Sequence, residues 1–191
     1  MKLVFASSNE HKVSEVRAMI DNPIIIKSLN DIDCLVDIPE TGSTFAENAG
    51  QKSRYVYENY RINCFADDSG LEIDALNGEP GVFSARYSGT RDSEKNMQLV
   101  LNRMLGQSNR TARFKTVISL ILDGSEYLFE GSVEGSILMQ RSGTKGFGYD
   151  PIFRPEGYQL SFAEMTPSEK NRISHRAIAM QKLILFLQSR A

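Results

Sequence analysis

The chain has 191 residues, 41% hydrophobic and 24% charged, with a formal net charge of −2, the profile of an ordinary soluble globular protein able to bury a substantial core. That balance argues against a general nucleic-acid binder held by a basic surface, yet leaves room for an anionic small molecule gripped by local Lys, Arg and backbone N–H groups. Cys34 and Cys64 are too few and too far apart for a zinc cluster or a disulfide framework, and no segment reads as a membrane span or signal sequence, so a reduced, cytoplasmic setting is expected.

Leu3 to Ala6 reads as a short strand, after which Val13, Val16, Arg17 and Ile20 recur at helical spacing. The loop between them, Ser7-Ser8-Asn9-Glu10-His11-Lys12, then lies at a helix N-terminus, where N–H groups and the positive end of the helix dipole suit an anion. Hydroxyls, an amide and an ammonium are the inventory of a polyphosphate cradle. A capped helix with ordinary surface charge explains the same residues. A Walker loop is excluded, because its glycines and its Gly-Lys-Ser/Thr ending are missing.

Ile24 to Ile26 reads as a second strand, bounded by Asn22-Pro23. Thr44-Phe45-Ala46-Glu47 has the capping-box pattern and predicts a helix from Thr44 to Tyr60, with Asn48 and Lys52 one turn apart on one face. Glu40, just before it, either ligates a metal or favours the helix dipole; only a partner acid decides for the metal.

That partner is offered by Phe65-Ala66-Asp67-Asp68-Ser69-Gly70-Leu71, read as a turn between a strand ending at Ala66 and another over Leu71 to Ala75. Paired acids can hold a divalent metal against a phosphate. Taken alone, an Asx-type turn is the better account of them.

Asn77 to Thr90 reads as a structured loop, and Asp92 or Ser93 caps a helix running to about Leu105. Arg113 to Leu122, the turn Asp123-Gly124 and Tyr127 to Met139 predict a β-hairpin, with Gly131 and Gly135 suggesting a bulge. Gly146-Phe147-Gly148-Tyr149-Asp150-Pro151 sets two aromatics on a glycine-permitted backbone, suited either to a nucleobase or to a tight turn with buried rings. Thr166-Pro167-Ser168-Glu169 is the strongest helix start, followed by an apolar stripe at Ile173, Ala177, Met180, Ile184 and Leu187 to the C-terminus. Lys170, His175 and Arg176 fall on the first turns of that helix, with Arg172 and Arg176 one turn apart. No repeat or flexible linker divides the chain, so it reads as one folding unit of mixed α/β type.

Together the strings SSNEHK, ETGSTFAENA, ADDSGLEIDALNGEPGVFSARYSG, KGFGYDPIF and SEKNRISHRA closely resemble the non-canonical purine nucleoside triphosphate pyrophosphatase family, also called the inosine triphosphatase or HAM1-like family. They stand in the family's order, at similar spacing, over nearly the whole chain. The resemblance implies an α/β fold with a mixed central β-sheet flanked by helices, two lobes with an active-site cleft between them, and a single domain over residues 1–191. It implies hydrolysis of ITP, dITP and XTP to monophosphate and pyrophosphate with Mg²⁺. On this likeness Ser7, Ser8, Asn9, Glu10, His11 and Lys12 bind the triphosphate, and Glu40 and Asp68 hold the metal. Asp68 also accepts a proton and Ser69 contacts substrate. Phe147, Gly148, Tyr149 and Asp150 line the nucleoside pocket, Phe147 stacking on the base, while Lys170, His175 and Arg176 contact the base and its surroundings. Whether Asp67 shares the metal or base role stays open, since adjacency does not rank the two acids.

Ser8 stands where relatives often carry Thr, Gly or Asn, and Tyr149 where some have Trp; each keeps the chemistry. The family is typically dimeric, with Ser43 to Arg91 as a possible isologous surface, and no nucleic-acid or membrane partner is expected. Two rivals remain open. A Maf-like nucleotide pyrophosphatase would act on a different nucleotide set, but FGYDP and SHR favour the inosine triphosphatase branch. A non-catalytic nucleotide-binding protein would not need the intact Lys12, Glu40, Asp67 and Asp68.

Overall fold

The computed structural model describes residues 1–20 and 24–190. Strand β1 (Lys2–Phe5) buries Leu3, Val4 and Phe5 in succession, so both of its faces are covered. Helix α1 (Glu10–Met19) follows, with Asn9 as its N-cap. Strand β2 (Ile25–Lys27) lies parallel to β1, Leu3 opposite Ile26; the expected boundary at Asn22-Pro23 lies outside the described residues. Helix α2 (Phe45–Tyr60) opens on the expected capping box, Thr44 Oγ1 accepting from the Glu47 N–H and the Glu47 carboxylate from the Thr44 N–H.

The expected turn at Asp67 to Gly70 does not form. One strand, β3 (Cys64–Ile73), runs straight through it. An Asx turn needs the Asp side chain to fold back on its own backbone, whereas Asp67 and Asp68 are buried and take hydrogen bonds from Lys12 and Asn48, far away in sequence. Long-range partners therefore overrode the local turn chemistry.

Helix α3 (Ser93–Arg103) is capped by Asp92, as expected. Strands β4 (Thr111–Leu122) and β5 (Ser125–Ile137) are neighbours in the sheet and are joined by Asp123-Gly124, both at positive φ (50° and 84°), which matches the twist of a tight hairpin. Gly135 has a packing reason: it lies opposite Pro155 of antiparallel strand β6 (Phe153–Pro155), and a Cβ there would strike the Arg154 carbonyl and the Phe153 ring. The sheet order is β2-β1-β3-β4-β5-β6, with β1 parallel to both β2 and β3. It is the mixed sheet of an α/β fold.

The C-terminal helix is two helices, α4 (Pro167–Ile173) and α5 (His175–Gln188), separated by Ser174 in extended conformation (ψ 154°). This break resets the phase. The buried apolar residues of α5 are Ala179, Met180, Leu183 and Leu187, so the stripe counted through from Ile173 is displaced at Ala177 and Ile184.

Backbone packing groups the chain into two units. The first comprises Met1–Asp68, Thr116–Gly131 and Ala177–Ala191, and the second Ser69–Lys115 and Ser132–Arg176. In the first, Leu3, Phe5, Val13, Val16, Ile118 and Leu183 form one core cluster, with Phe5 stacked on Phe65 at 4.8 Å, and Val4, Val56 and Ala66 belong to another. In the second, Leu71, Met97, Phe114, Ile152, Phe153 and Phe162 pack together, Phe114 meeting Phe153 edge-on at 4.7 Å. Burial of each such large side chain contributes about 1.5–3 kcal/mol. Among the described residues no helix is long and apolar enough to cross a membrane.

Candidate active site

In the first unit, β3 carries Asp67 and Asp68 side by side, 2% and 6% exposed. Lys12, on the first turn of α1, places its ammonium 2.9 Å from Asp67 Oδ1. Helix α2 supplies the rest. Asn48 Nδ2 donates to Asp68 Oδ2 at 2.9 Å, and Lys52, one turn later, donates to the main-chain carbonyl of Asp67 at 2.6 Å and pairs with the Glu40 carboxylate. The segment carrying Glu40 is tied to the same helix: the Thr41 N–H donates to Gln51 Oε1 at 3.0 Å and the Gly42 N–H to Asn48 Oδ1 at 2.7 Å. Lys52 thus holds Glu40 beside the acids of β3.

The electrostatics of the two outer acids differ. Burial pushes the Asp68 carboxyl above its ordinary range, and Lys52, Lys12 and the Asn48 amide do not fully offset it. Burial acts on Glu40 in the same sense, but the Lys52 and Lys12 charges outweigh it and hold that carboxyl below its usual value. Among the described residues no three His, Cys, Asp or Glu side chains make a ready metal cage. An oxygen-only pair of carboxylates suits a hard divalent cation that completes its shell with water and substrate phosphate.

The Ser7 to Lys12 segment divides. Asn9 is the cap, its side-chain oxygen accepting from the N–H groups of His11 and Lys12, and its own N–H donates to Ser7 Oγ at 3.2 Å. Ser8, Glu10 and His11 are exposed at the helix start. Lys12 is brought to the acids by its ion pair with Asp67.

In the second unit the loop before β6 depends on glycine. Gly146 (φ 74°) has no room for a Cβ, which would run into the Asp150 carboxylate, and Gly148 (φ 62°) is also left-handed. Asp150 is buried, accepts from the Phe147 N–H at 2.9 Å and pairs with Lys170 at 2.7 Å. The half-buried Phe147 ring has the Lys170 ammonium 4.8 Å and the Arg176 guanidinium 5.8 Å from its centroid. Buried Arg176 donates to Ser69 Oγ at 3.0 Å. Ser69, Phe147, Asp150, Lys170 and Arg176 therefore form one cluster.

Two of the expected residues, Tyr149 and His175, also make packing contacts. Tyr149 is buried and donates its phenol to the Ser84 carbonyl at 2.8 Å, and the His175 ring stacks on Phe114 at 4.7 Å. The helix break at Ser174 puts Lys170 on α4 and Arg176 on α5, so Arg172 and Arg176 do not share a helix face; Arg172 is exposed. Asn48 and Lys52 received no role from sequence although their helical spacing was visible. What they touch depends on β3 passing beside α2, which local pattern does not reveal.

The Ham1 family profile matches residues 3–186. The chain is 51% identical over 185 residues to a dITP/XTP pyrophosphatase of Flavobacterium johnsoniae, covering 96% of each, and 51% identical over 188 residues to one of Christiangramia forsetii, covering 98% of this chain and 99% of the other. Among solved structures it superposes on the Ham1 protein of Staphylococcus aureus with a TM-score of 0.91 at 37% identity, over 100% of both chains. A profile match over nearly the whole length, with half-identical relatives and the same fold, establishes that this chain belongs to the Ham1 family.

Proposed function

We propose that this chain hydrolyses dITP, ITP and XTP to the nucleoside monophosphate and pyrophosphate, with Mg²⁺ as its metal. The observation that carries the reading is the buried Asp68 in one cluster with Glu40, Lys12 and Lys52. The relatives named dITP/XTP pyrophosphatase support it.

Glu40 and Asp68 hold the metal on this reading. The donor set fits: both ligands are carboxylates, and Asp68 in particular lacks enough nearby positive charge to ionise at its ordinary pKa. When bound, the ion polarises phosphate oxygens and lowers the pKa of coordinated water. Lys12 and the groups from Ser7 to His11 at the α1 N-terminus take the phosphate charge. Asp68 orients the water that attacks the α-phosphorus and accepts its proton. Lys52 holds Glu40 and the Asp67 backbone in place.

The second cluster takes the base. Phe147 offers a ring face for stacking, a contact worth ~1–3 kcal/mol. Lys170, Arg176 and Ser69 supply donors for the six-carbonyl of hypoxanthine or xanthine, and the amino group of adenine would leave such donors unpaired. Gly148, Tyr149, Asp150 and His175 shape that loop and the start of α5. The same proposal includes one domain over residues 1–191, a cytoplasmic setting in keeping with the free thiols Cys34 and Cys64, and a homodimer through the Ser43 to Arg91 region, where Phe83 is exposed.

The test is an assay of the purified chain on dITP, ITP, XTP, GTP, ATP and pyrimidine triphosphates, with and without Mg²⁺, identifying the phosphorus product. Metal-dependent pyrophosphate release from the first three is expected. Comparable turnover of ATP and GTP, or orthophosphate as the product, overturns the reading.

A further inference from the structure

Asn48 is fully buried in α2, and both ends of its amide are engaged. The Gly42 N–H can only donate, so the atom facing it at 2.7 Å is Oδ1 and the atom facing Asp68 Oδ2 at 2.9 Å is Nδ2. One rigid planar group thereby joins the segment that carries Glu40 to the carboxylate of Asp68. Gly42 is shaped to this contact, since a Cβ there would crowd Glu47 and sit 2.9 Å from Asn48 Oδ1. Asp68 also needs a donor, because its carboxylate is buried.

We propose that Asn48 is a positioning residue for the metal site, setting the distance between Glu40 and Asp68 and the orientation of the Asp68 carboxylate before substrate arrives. This inference rests on the assignment of Glu40 and Asp68 as metal ligands. Outer partners of metal ligands contribute about 10- to 100-fold in metal affinity or activity.

Gln51 provides the control. It anchors the same segment through Thr41, donating to Thr41 Oγ1 and accepting from the Thr41 N–H at 3.0 Å each. Asn48→Leu removes both arms of the amide. Asn48→Asp keeps its size and the acceptor for Gly42 and replaces the donor to Asp68 by a carboxylate oxygen, and it serves where Asn48→Leu does not fold. Gln51→Leu loosens the segment alone.

The experiment measures Mn²⁺ binding to the nucleotide-free protein by electron paramagnetic resonance, together with kcat and KM for dITP, on variants whose folding is checked by circular dichroism. Asn48→Leu is expected to weaken Mn²⁺ binding, and both Asn48 variants to lower kcat, by about 10- to 100-fold with KM within about 3-fold, while Gln51→Leu stays within about 3-fold throughout. Folded Asn48 variants with wild-type kcat, or a Gln51→Leu defect as large as theirs, overturn the proposal. Should wild type release no pyrophosphate from dITP, the proposed function fails, and the Mn²⁺ comparison still decides the positioning role: equal affinities refute it.

Discussion

The ammonium of Lys52 donates to the main-chain carbonyl of Asp67 at 2.6 Å while pairing with the carboxylate of Glu40. One side chain thus clamps the middle of β3 to the segment preceding α2. Lys52→Met is predicted to leave Glu40 without its main counter-charge and the Asp67 carbonyl without this donor, at a cost of about 1–3 kcal/mol in stability. The accompanying loss in kcat/KM is about 10- to 100-fold. Lys52→Arg does not restore activity, because a planar guanidinium does not fit a compact ammonium's place. Urea unfolding and steady-state kinetics on both variants check this; full activity in Lys52→Arg contradicts it.

Asp68→Asn separates catalysis from stability. Removing a general base costs about 10²- to 10⁴-fold in turnover. The native Asp68 binds its proton more tightly than the unfolded chain, whose ordinary value is 3.8, chiefly through burial. Ionising it therefore disfavours the folded state: the penalty is absent below pH 3.8, grows as pH rises past that value and is complete above the raised native pKa. Relative to wild type in chelator at pH 7, Asp68→Asn melts no lower, and any advantage fades as the pH falls through the raised native pKa and is gone below 3.8. Thermal melts across that range check the sign; a variant that melts lower at neutral pH is the contrary outcome.

Much of this was legible locally. The Thr44/Glu47 and Thr166/Glu169 boxes, the Asp92 cap and the Asp123-Gly124 hairpin are set by interactions spanning four residues or fewer, and each appears where the sequence indicates. Asp67-Asp68-Ser69-Gly70 misled for the opposite reason. Its turn-forming composition is overruled by Lys12 and Asn48, 55 and 20 residues away. Likewise the break at buried Ser174 cannot be heard in a helical period that continues on either side of it. The candidate site was half legible: its acids announce themselves, while Asn48 and Lys52 acquire meaning only from the strand they face.

Gly146→Ala tests the loop that presents Phe147. The position demands a left-handed backbone (φ 74°), and the added methyl meets the Asp150 carboxylate that binds the Phe147 N–H and Lys170. The left-handed conformation alone costs about 1–2 kcal/mol for a residue with a Cβ. Stability is predicted to fall by at least that amount and KM for dITP to rise, because Asp150 must move and release its partners. Denaturation and KM measured on the same preparation check the pair of effects; unchanged values for both mean that the loop tolerates the methyl.

Phe147→Leu asks whether the ring contributes its face or only its bulk. Leucine keeps apolar volume at a half-buried position and abolishes both the stacking surface and the contacts with Lys170 and Arg176, 4.8 Å and 5.8 Å from the ring centre. Loss of a base-stacking contact of ~1–3 kcal/mol raises KM for dITP about 5- to 150-fold, and because the contact is present before and during the reaction, kcat changes little. Phe147→Tyr preserves a ring and stays near wild type in KM. Lost cation–π attraction lowers the stability of Phe147→Leu by about 0.5–2 kcal/mol. A variant that is destabilised yet keeps its KM would assign the ring to holding Lys170 and Arg176 in place, and leave the purine to be gripped by its edge.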